Sequence, residues 1–373
     1  MSLSQMKAAQ MHYLQGCDFP ELIKMLWNNR KHLSIKHLPK IGFVTFMSFI
    51  MIPFILMENL LHARKIKNTK IEKPPIFIVG HWRSGTTYLT NILAHDKNLS
   101  YFTADKTYTH STFLVLGNLF RKIYPKVLPK KRPMDNLEMG IEEPTEEVFA
   151  LANMTRYSIV HMMSFPKRAR FYARSAFYDD LSDKQQKRIK KAYSKIIKKL
   201  TYYTNKRLIV KSPDNTCKIN MLLDLYPDAK FIHIYRNPYK VFNSTIGMYN
   251  KLFPIFSFED WEGIDKSESE DVVLDIYEKL YKQYLVDKEN IPAENLIEIK
   301  YEEFIKKPKE YIEIIYRDLQ IEDYENVEKD LHEYIDSQKD YQTNPFNKDN
   351  LNIKRINKKM RFLFNHYGYD VEN

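Results

Sequence analysis

Cysteine is nearly absent from this chain: only Cys17 and Cys217 occur among 373 residues, with no CxxC pair and no His/Cys cluster. Disulfide scaffolding and a structural zinc site are thereby set aside. No internal repeat or low-complexity tract appears. Zinc-finger spacing and RNP-type aromatic motifs are missing as well, which leaves base-specific reading of nucleic acid without support. The first residues do not follow the pattern of a secretory signal. The one long apolar run, Ile41 to Met57, falls short of the roughly 20 residues of a spanning helix, and Pro53 lies inside it.

What is present fits a globular protein with a real core: 44% hydrophobic and 28% charged residues. The net charge of +11 favours an anionic partner, and nucleic acid, acidic lipid or a polyanionic cofactor would all satisfy charge alone. Abundant Phe, Tyr, Lys and Asn fits an AT-rich bacterial gene. The length suits one α/β enzyme domain plus an extension. We place the boundary so that residues 1–70 form an N-terminal helical, hydrophobic extension and residues 71–373 the main domain. Lys36, Lys40, Arg64, Lys65 and Lys67 flank the apolar run on both sides and give no orientation. A helix packed on the enzyme body, a lipid-docking segment and a span all remain open. We read residues 41–57 as a membrane-leaning helix, with peripheral membrane contact expected.

The main domain is organised around Pro75 to Leu89. Ile76 to Val79 form a short apolar run of the kind buried on both faces of a sheet. Gly80 and Gly85 supply a tight loop, and Thr86 opens a helix with Leu89, Ile92 and Leu93 at helical spacing. Strand, glycine loop and helix N-terminus make an anion site, because free N–H groups and the positive helix end face the ligand. The Gly80, Gly85, Thr87 spacing is that of a Walker loop, but Thr86 stands where the nucleotide-binding lysine belongs. Arg83 supplies the positive charge instead.

Further segments carry chemistry. Arg207 to Pro213 reads as a buried strand presenting Lys211 at its carboxyl end, where α/β sheets place ligands. Ala229 to Ser244 is another strand closed by Arg236, followed by a helix begun at Pro238. Arg236 and Ser244 can converge on one anion. Asn295 to Phe304 is a strand ending at Tyr301, followed by a helix over Lys309 to Leu319. Leu99 to Phe102 reads as a further short strand by its pattern. Glu142 to Leu151 looks like a helix start, with Pro144 at a first helical position and acids in its first turn. The lysines of Lys184 to Lys199 fall on a solvated helix face, with an acidic substrate or membrane surface as the livelier reading. Lys130 to Asp135 reads as an exposed basic turn.

Arg83-Ser84-Gly85-Thr86-Thr87 after a buried strand resembles the 5'-phosphosulfate loop of sulfotransferases that use 3'-phosphoadenosine-5'-phosphosulfate (PAPS). The strand-Arg-Asn-Pro-helix block with Arg236 and Ser244 resembles that family's 3'-phosphate site. The order of motifs matches over roughly residues 74–345. The resemblance implies a P-loop-like α/β fold, a parallel sheet flanked by helices, here with the N-terminal helical extension. It implies PAPS as sulfuryl donor, PAP as product and no metal. It assigns Arg83, Ser84, Gly85, Thr86 and Thr87 to the phosphosulfate, Lys211 to the leaving phosphate, Arg236 and Ser244 to the 3'-phosphate, and Tyr301 to the adenine. Cytosolic members carry a Lys-Thr-His base, but Pro213 stands at that histidine's place. Suspicion moves to the Pro-x-acid-acid segment, with Glu146 first, Glu147 second, and Asp105, His81 and His110 behind them. Val148 departs from that segment's pattern. The C-terminal Arg-Lys-Gly signature is missing, and Tyr341 to Asn344 with the basic Lys354 to Arg361 stretch fill its place.

The expected reaction is in-line sulfuryl transfer from PAPS to a hydroxyl acceptor, with the charge that develops stabilised by positioned cations. Aromatic residues make up 14% of the chain and, with the apolar run, tilt the acceptor toward a lipophilic alcohol: a sterol, steroid or lipid. A carbohydrate or peptide tyrosine is the competitor, and a P-loop kinase or NTPase a remoter one. A non-catalytic basic scaffold on acidic membranes is the remaining class. The expected location is cytoplasmic and membrane-associated.

Overall fold

The computed structural model describes residues 12–127, 131–132, 134–135, 140–339 and 352–372. Short helices apart, the chain runs through α1 (Phe19–Asn29), α2 (Leu38–Ile50), α3 (Ile52–Asn68) and β1 (Ile76–Val79). It continues through α4 (Thr86–Leu93), β2 (Leu99–Tyr101), α5 (Val148–Met154), α6 (Asp183–Thr204) and β3 (Arg207–Lys211). Then come β4 (Lys230–Tyr235), α7 (Pro238–Phe256), α8 (Lys266–Asp287), β5 (Leu296–Lys300), α9 (Pro308–Asp318) and α10 (Ile353–Tyr367). Contacts divide these into two compact groups. One joins residues up to Glu72 with 102–205 and 249–265, and the other joins 73–101 with 206–248 and 266 onward.

The second group holds an all-parallel sheet in the order β2-β3-β1-β4-β5. Its central strands read as apolar runs because both faces are covered. Ile76, Ile78, Ile209, Ile232 and Ile234 pack with Leu89, Ile92 and Leu93 of α4 in one core. On the alternate positions Phe77 and Phe231 stack with ring centroids 5.5 Å apart. Each such side chain contributes about 1.5–3 kcal/mol by leaving water. From β1 the chain moves to β2 on one side, and later to β4 on the other. The crevice at the carboxyl end of β1 is therefore the point where strand order reverses, the usual ligand position in open α/β sheets.

The first group is helical. α6 begins at a capping box made by Ser182 and Gln185, and buries Ile189, Ile196, Ile197 and Leu200. Several expectations are corrected here. Lys199 is not on the solvated face: it is buried and ion-paired with the buried Glu58 of α3. Pro144 does not start a helix but forms an isolated bridge with Thr103, and α5 begins only at Val148. Asp135 is buried and 3.2 Å from Arg132, so that turn is not simply exposed; Lys130 and Pro133 lie outside the described residues. The apolar run 41–57 is split at Met51 between α2 and α3, and Pro53 sits in the first turn of α3, where a missing N–H costs little. In the second group, Lys354 to Arg361 is helix rather than loop, because Ile356, Met360, Leu363 and Phe364 bury one face of α10. Tyr341 to Asn344 lie outside the described residues.

Candidate active site

The loop after β1 is shaped by what surrounds it. Gly80 has φ +140°, and a Cβ there would lie 2.3 Å from the Ile234 carbonyl oxygen of β4. Gly85 has φ +112°, and a Cβ there would lie 2.3 Å from the Tyr301 ring. Both glycines are therefore required by backbone conformation and by space. Arg83 is also left-handed, at φ 69°. A non-glycine residue held there costs about 1–2 kcal/mol, so packing must fix the turn. Thr216 contributes to that: its hydroxyl accepts from the Gly80 N–H at 2.8 Å and contacts the Gly80 carbonyl at 3.2 Å. Gly85 precedes the first turn of α4, and Thr86 and Thr87 begin that helix. The first amides of a helix have no intrahelical acceptor and face outward from the end.

Register brings the distant cations to this loop. Lys211 is opposite Ile78 on β3, one neighbour of β1, and is 3% exposed. Arg236 follows β4, the neighbour on the other side. Its Nη1 donates to the Arg83 carbonyl at 3.2 Å, and its guanidinium carbon lies 4.3 Å from the Tyr301 ring centroid. Arg83 Nε donates to Ser244 Oγ at 2.9 Å. Thus Arg83, Arg236, Ser244 and Tyr301, drawn from three separate segments, form one network around the loop. Two buried polar atoms in it, Ser84 Oγ and Arg236 Nε, have no hydrogen-bond partner in the protein. Buried donors are seldom left so. Together with the loop's three cations, Arg83, Lys211 and Arg236, they fit a ligand carrying two anionic groups, as PAPS does.

The acidic candidates are in the helical group. Glu147 is fully buried and its Oε1 accepts from the Tyr193 hydroxyl at 3.0 Å. Glu146 is half-buried. Burial first, and the Glu146 carboxylate as a further cause, raise the Tyr108 phenol to about 12. Burial and then Glu146 also raise Tyr249. Glu146 accordingly sits in an aromatic setting and retains access to solvent. The lesser candidates are engaged or weakened. Asp105 is buried among Thr103, Lys106 and Arg121, the last at 3.2 Å. Burial lowers His81 to about 4, against the Tyr277 ring at 4.1 Å. Burial and then Lys199 push His110 well below its usual range.

A profile of the sulfotransferase family matches residues 74–326, which takes in the loop, Lys211, Arg236, Ser244 and Tyr301. The chain belongs to the sulfotransferase family. It is a sulfotransferase by class, and the family implies a sulfuryl donor of the PAPS type and a small-molecule acceptor. It is 28% identical over 359 residues to the omega-hydroxy-beta-dihydromenaquinone-9 sulfotransferase Stf3 of Mycobacterium tuberculosis and to that of Mycobacterium bovis. Those alignments cover 95% of this chain and 90% of each relative. Two crystal structures share the fold. Sulfotransferase STF9 of Mycobacterium avium superposes with a TM-score of 0.67 at 18% identity, covering 86% of this chain and 82% of its own. STF1 of Mycobacterium tuberculosis gives 0.66 at 13% identity, covering 96% and 98%.

Some supporting residues of this sulfotransferase carried no local sequence signal. Thr216 meets Gly80 only because β3 pairs with β1. Glu302 accepts from the Asn237 N–H at 3.0 Å and from the Tyr369 hydroxyl at 2.7 Å, tying the segment after β4 to the end of the chain. No motif in the sequence pointed to Tyr369. Among the described residues, no group of three His, Cys, Asp or Glu side chains is placed to hold a metal ion.

Proposed function

We propose that this sulfotransferase moves a sulfuryl group from PAPS to the hydroxyl of a lipophilic alcohol, a sterol, steroid or lipid. The observation that carries the donor assignment is the loop network: Arg83 on Ser244, Arg236 on Tyr301, with Ser84 Oγ and Arg236 Nε buried and unpartnered by protein. The acceptor class is supported by a relative named for a hydroxylated dihydromenaquinone.

PAPS, when bound, supplies the sulfuryl group and departs as PAP. Arg83, Ser84, the loop amides, Thr86 and Thr87 hold its phosphosulfate end, and Gly85 lets the backbone approach it. Arg236 and Ser244 hold the 3'-phosphate, and Tyr301 lies beside the base. Lys211 places a buried ammonium where negative charge grows on the leaving phosphate. Pre-positioned donors of this kind are each worth several kcal/mol in a site shielded from water. Glu146 takes the acceptor's hydroxyl proton at its carboxylate, and Glu147 is the second choice for that role. Residues 71–373 carry the transfer machinery in this reading, and the enzyme works in the cytoplasm.

The test is transfer of labelled sulfate from PAPS to a panel of sterols, quinols with hydroxylated tails, phenols, sugars and glycolipids. A labelled lipid or steroid product, abolished by Arg83→Ala and by Lys211→Ala, is expected. Label appearing only on sugars or on peptide tyrosine would overturn the acceptor assignment and keep the reaction class.

A further inference from the structure

Residues 35–68 run as one almost continuous helical stretch, yet only 22% of its most apolar 18-residue window is buried. The exposed side chains are arranged along one face. Leu38, Phe46, Phe49, Leu56, Leu60 and Leu61 are all more than half exposed, and Gly42 and Pro53 continue the line between them. Steps of three and four residues from 38 through 42, 46, 49, 53, 56 and 60 follow a single side of an α-helix. α1 packs beside this stripe through Phe19, whose ring meets Phe49 at 5.5 Å, and it carries a further exposed apolar group in Trp27, 66% exposed beneath Arg30. A contiguous row of exposed large apolar side chains on a globular chain marks a binding surface.

The opposite side of the helix is tied to protein. Ile41, Val44, Ser48 and Ile66 are buried. Lys40 Nζ donates to the carbonyls of Ile255 and Ser257 at 2.9 and 3.0 Å. Glu58 is held by Lys199 of α6. A helix surrounded by lipid could not keep these polar anchors, so the geometry describes a helix half in protein and half available to a partner.

Charge identifies the partner. Lys36 stands exposed before the stripe, and Arg64, Lys65 and Lys67 stand exposed after it. α6, joined to α3 by Lys199–Glu58 and by Lys198 donating to the Lys67 carbonyl at 3.1 Å, exposes Lys184, Lys187, Arg188, Lys191 and Lys195. A cavity of about 410 Å³ lies between these elements, walled by Ile52, Ile55 and Leu56 of α3, by Arg188 and Lys195 of α6, and by Asp18 and Glu21, the latter paired with Arg188 at 2.5 Å. An apolar strip bordered by cations, with an exposed tryptophan, matches the layering of an anionic bilayer surface: acyl chains below, phosphate headgroups around.

We infer that the α2–α3 stripe, with Trp27, docks this enzyme in the plane of a bilayer rich in anionic phospholipid. The helix lies on the membrane and does not cross it. This inference stands on the surface alone and does not require a lipophilic acceptor, so docking and transfer can fail separately.

The test is flotation of the full chain with vesicles of phosphatidylcholine, alone or mixed with phosphatidylglycerol. Co-flotation with the mixed vesicles, weakened by salt, is expected. Phe46→Ser/Phe49→Ser/Leu60→Ser should lower the partition coefficient on the order of a hundredfold, while thermal stabilisation by PAP, an independent check on folding, is kept. Lys36→Gln/Arg64→Gln/Lys65→Gln/Lys67→Gln should remove the preference for phosphatidylglycerol. No flotation with either vesicle, or flotation indifferent to the triple serine variant, would overturn the inference. So would a dimer dissolved by that variant in the absence of flotation, since the stripe would then face a second copy. Resistance of the bound protein to alkaline carbonate extraction would overturn the in-plane orientation.

Discussion

The loop after β1 and the helices α2–α3 break the usual inside-out arrangement in opposite directions. Around the loop, polar atoms are inside and unmet: Ser84 Oγ and Arg236 Nε are buried without a protein partner. Along α2–α3, apolar groups are outside and unmet, with Leu60 at 86% exposure. The charges buried beneath α3 are, by contrast, matched, as in Glu58 with Lys199. Unmet demand of one kind calls for an anion, and of the other kind for an apolar surface. The two regions teach that a partner's chemistry is written in what the fold leaves unsatisfied, and that matched buried charge is structural by default.

That contrast can be broken most sharply at the matched pair. Glu58→Ala leaves the Lys199 ammonium buried without its counter-charge and should cost about 3–5 kcal/mol of stability, read from the denaturant midpoint. Glu58→Met/Lys199→Met should return close to wild type. If Glu58→Ala is silent, α3 is not anchored as described. Next come the loop cations. Arg83→Ala and Lys211→Ala should each lower turnover by about 10²–10³, the usual effect of removing a pre-positioned donor. Unchanged turnover in both would move the site elsewhere.

The two glutamates sharpen the same distinction at smaller scale. Glu146→Gln should slow transfer by about a hundredfold with PAP affinity retained, as for loss of a general base. Glu147→Gln should instead cost about 1 kcal/mol of stability by weakening the Tyr193 hydrogen bond. Reversal of those outcomes would exchange their roles.

The last contrast is in pH. Glu259 is buried, accepts from the Lys167 N–H at 2.7 Å, and is raised by burial from 4.5 to about 7. The folded state therefore holds this proton more tightly than the unfolded chain. The stability it contributes is fully present below about pH 4.5 and is lost as pH rises through about 7. Urea unfolding should show Glu259→Gln flattening that decline, by up to about 2–3 kcal/mol. An unchanged pH profile would show that Glu259 is not its source.

The strands around the site were legible because each is a short apolar run ending at or just before a candidate residue: Val79 before the loop, Lys211 closing β3, Tyr235 before Arg236. The helix starting at Thr86 was legible from Leu89, Ile92 and Leu93. Which strands lie side by side was not, since parallel pairing is set by contacts far apart in sequence. Only the register shows Lys211 and Arg236 flanking β1. Periodicity assigned Lys199 to the solvated face because its counter-charge, Glu58, is 141 residues away. Pro144 suits a helix start by type but is held by a bridge to Thr103, a tertiary contact overriding a local preference. The Lys354 to Arg361 stretch looked like a basic loop because five of its eight residues are Lys or Arg, and only Ile356 and Met360 of the face that α10 buries fall within it.

The most direct measurement is calorimetric titration of PAP into the wild-type protein, Arg83→Ala and Arg236→Ala. The network around the loop predicts saturable one-to-one binding to the wild type, weakened by at least about tenfold in each variant, the loss of one charge-assisted contact. Absence of PAP binding to the wild type, or equal affinity in all three proteins, would contradict the claim that the network around the loop holds the sulfuryl donor.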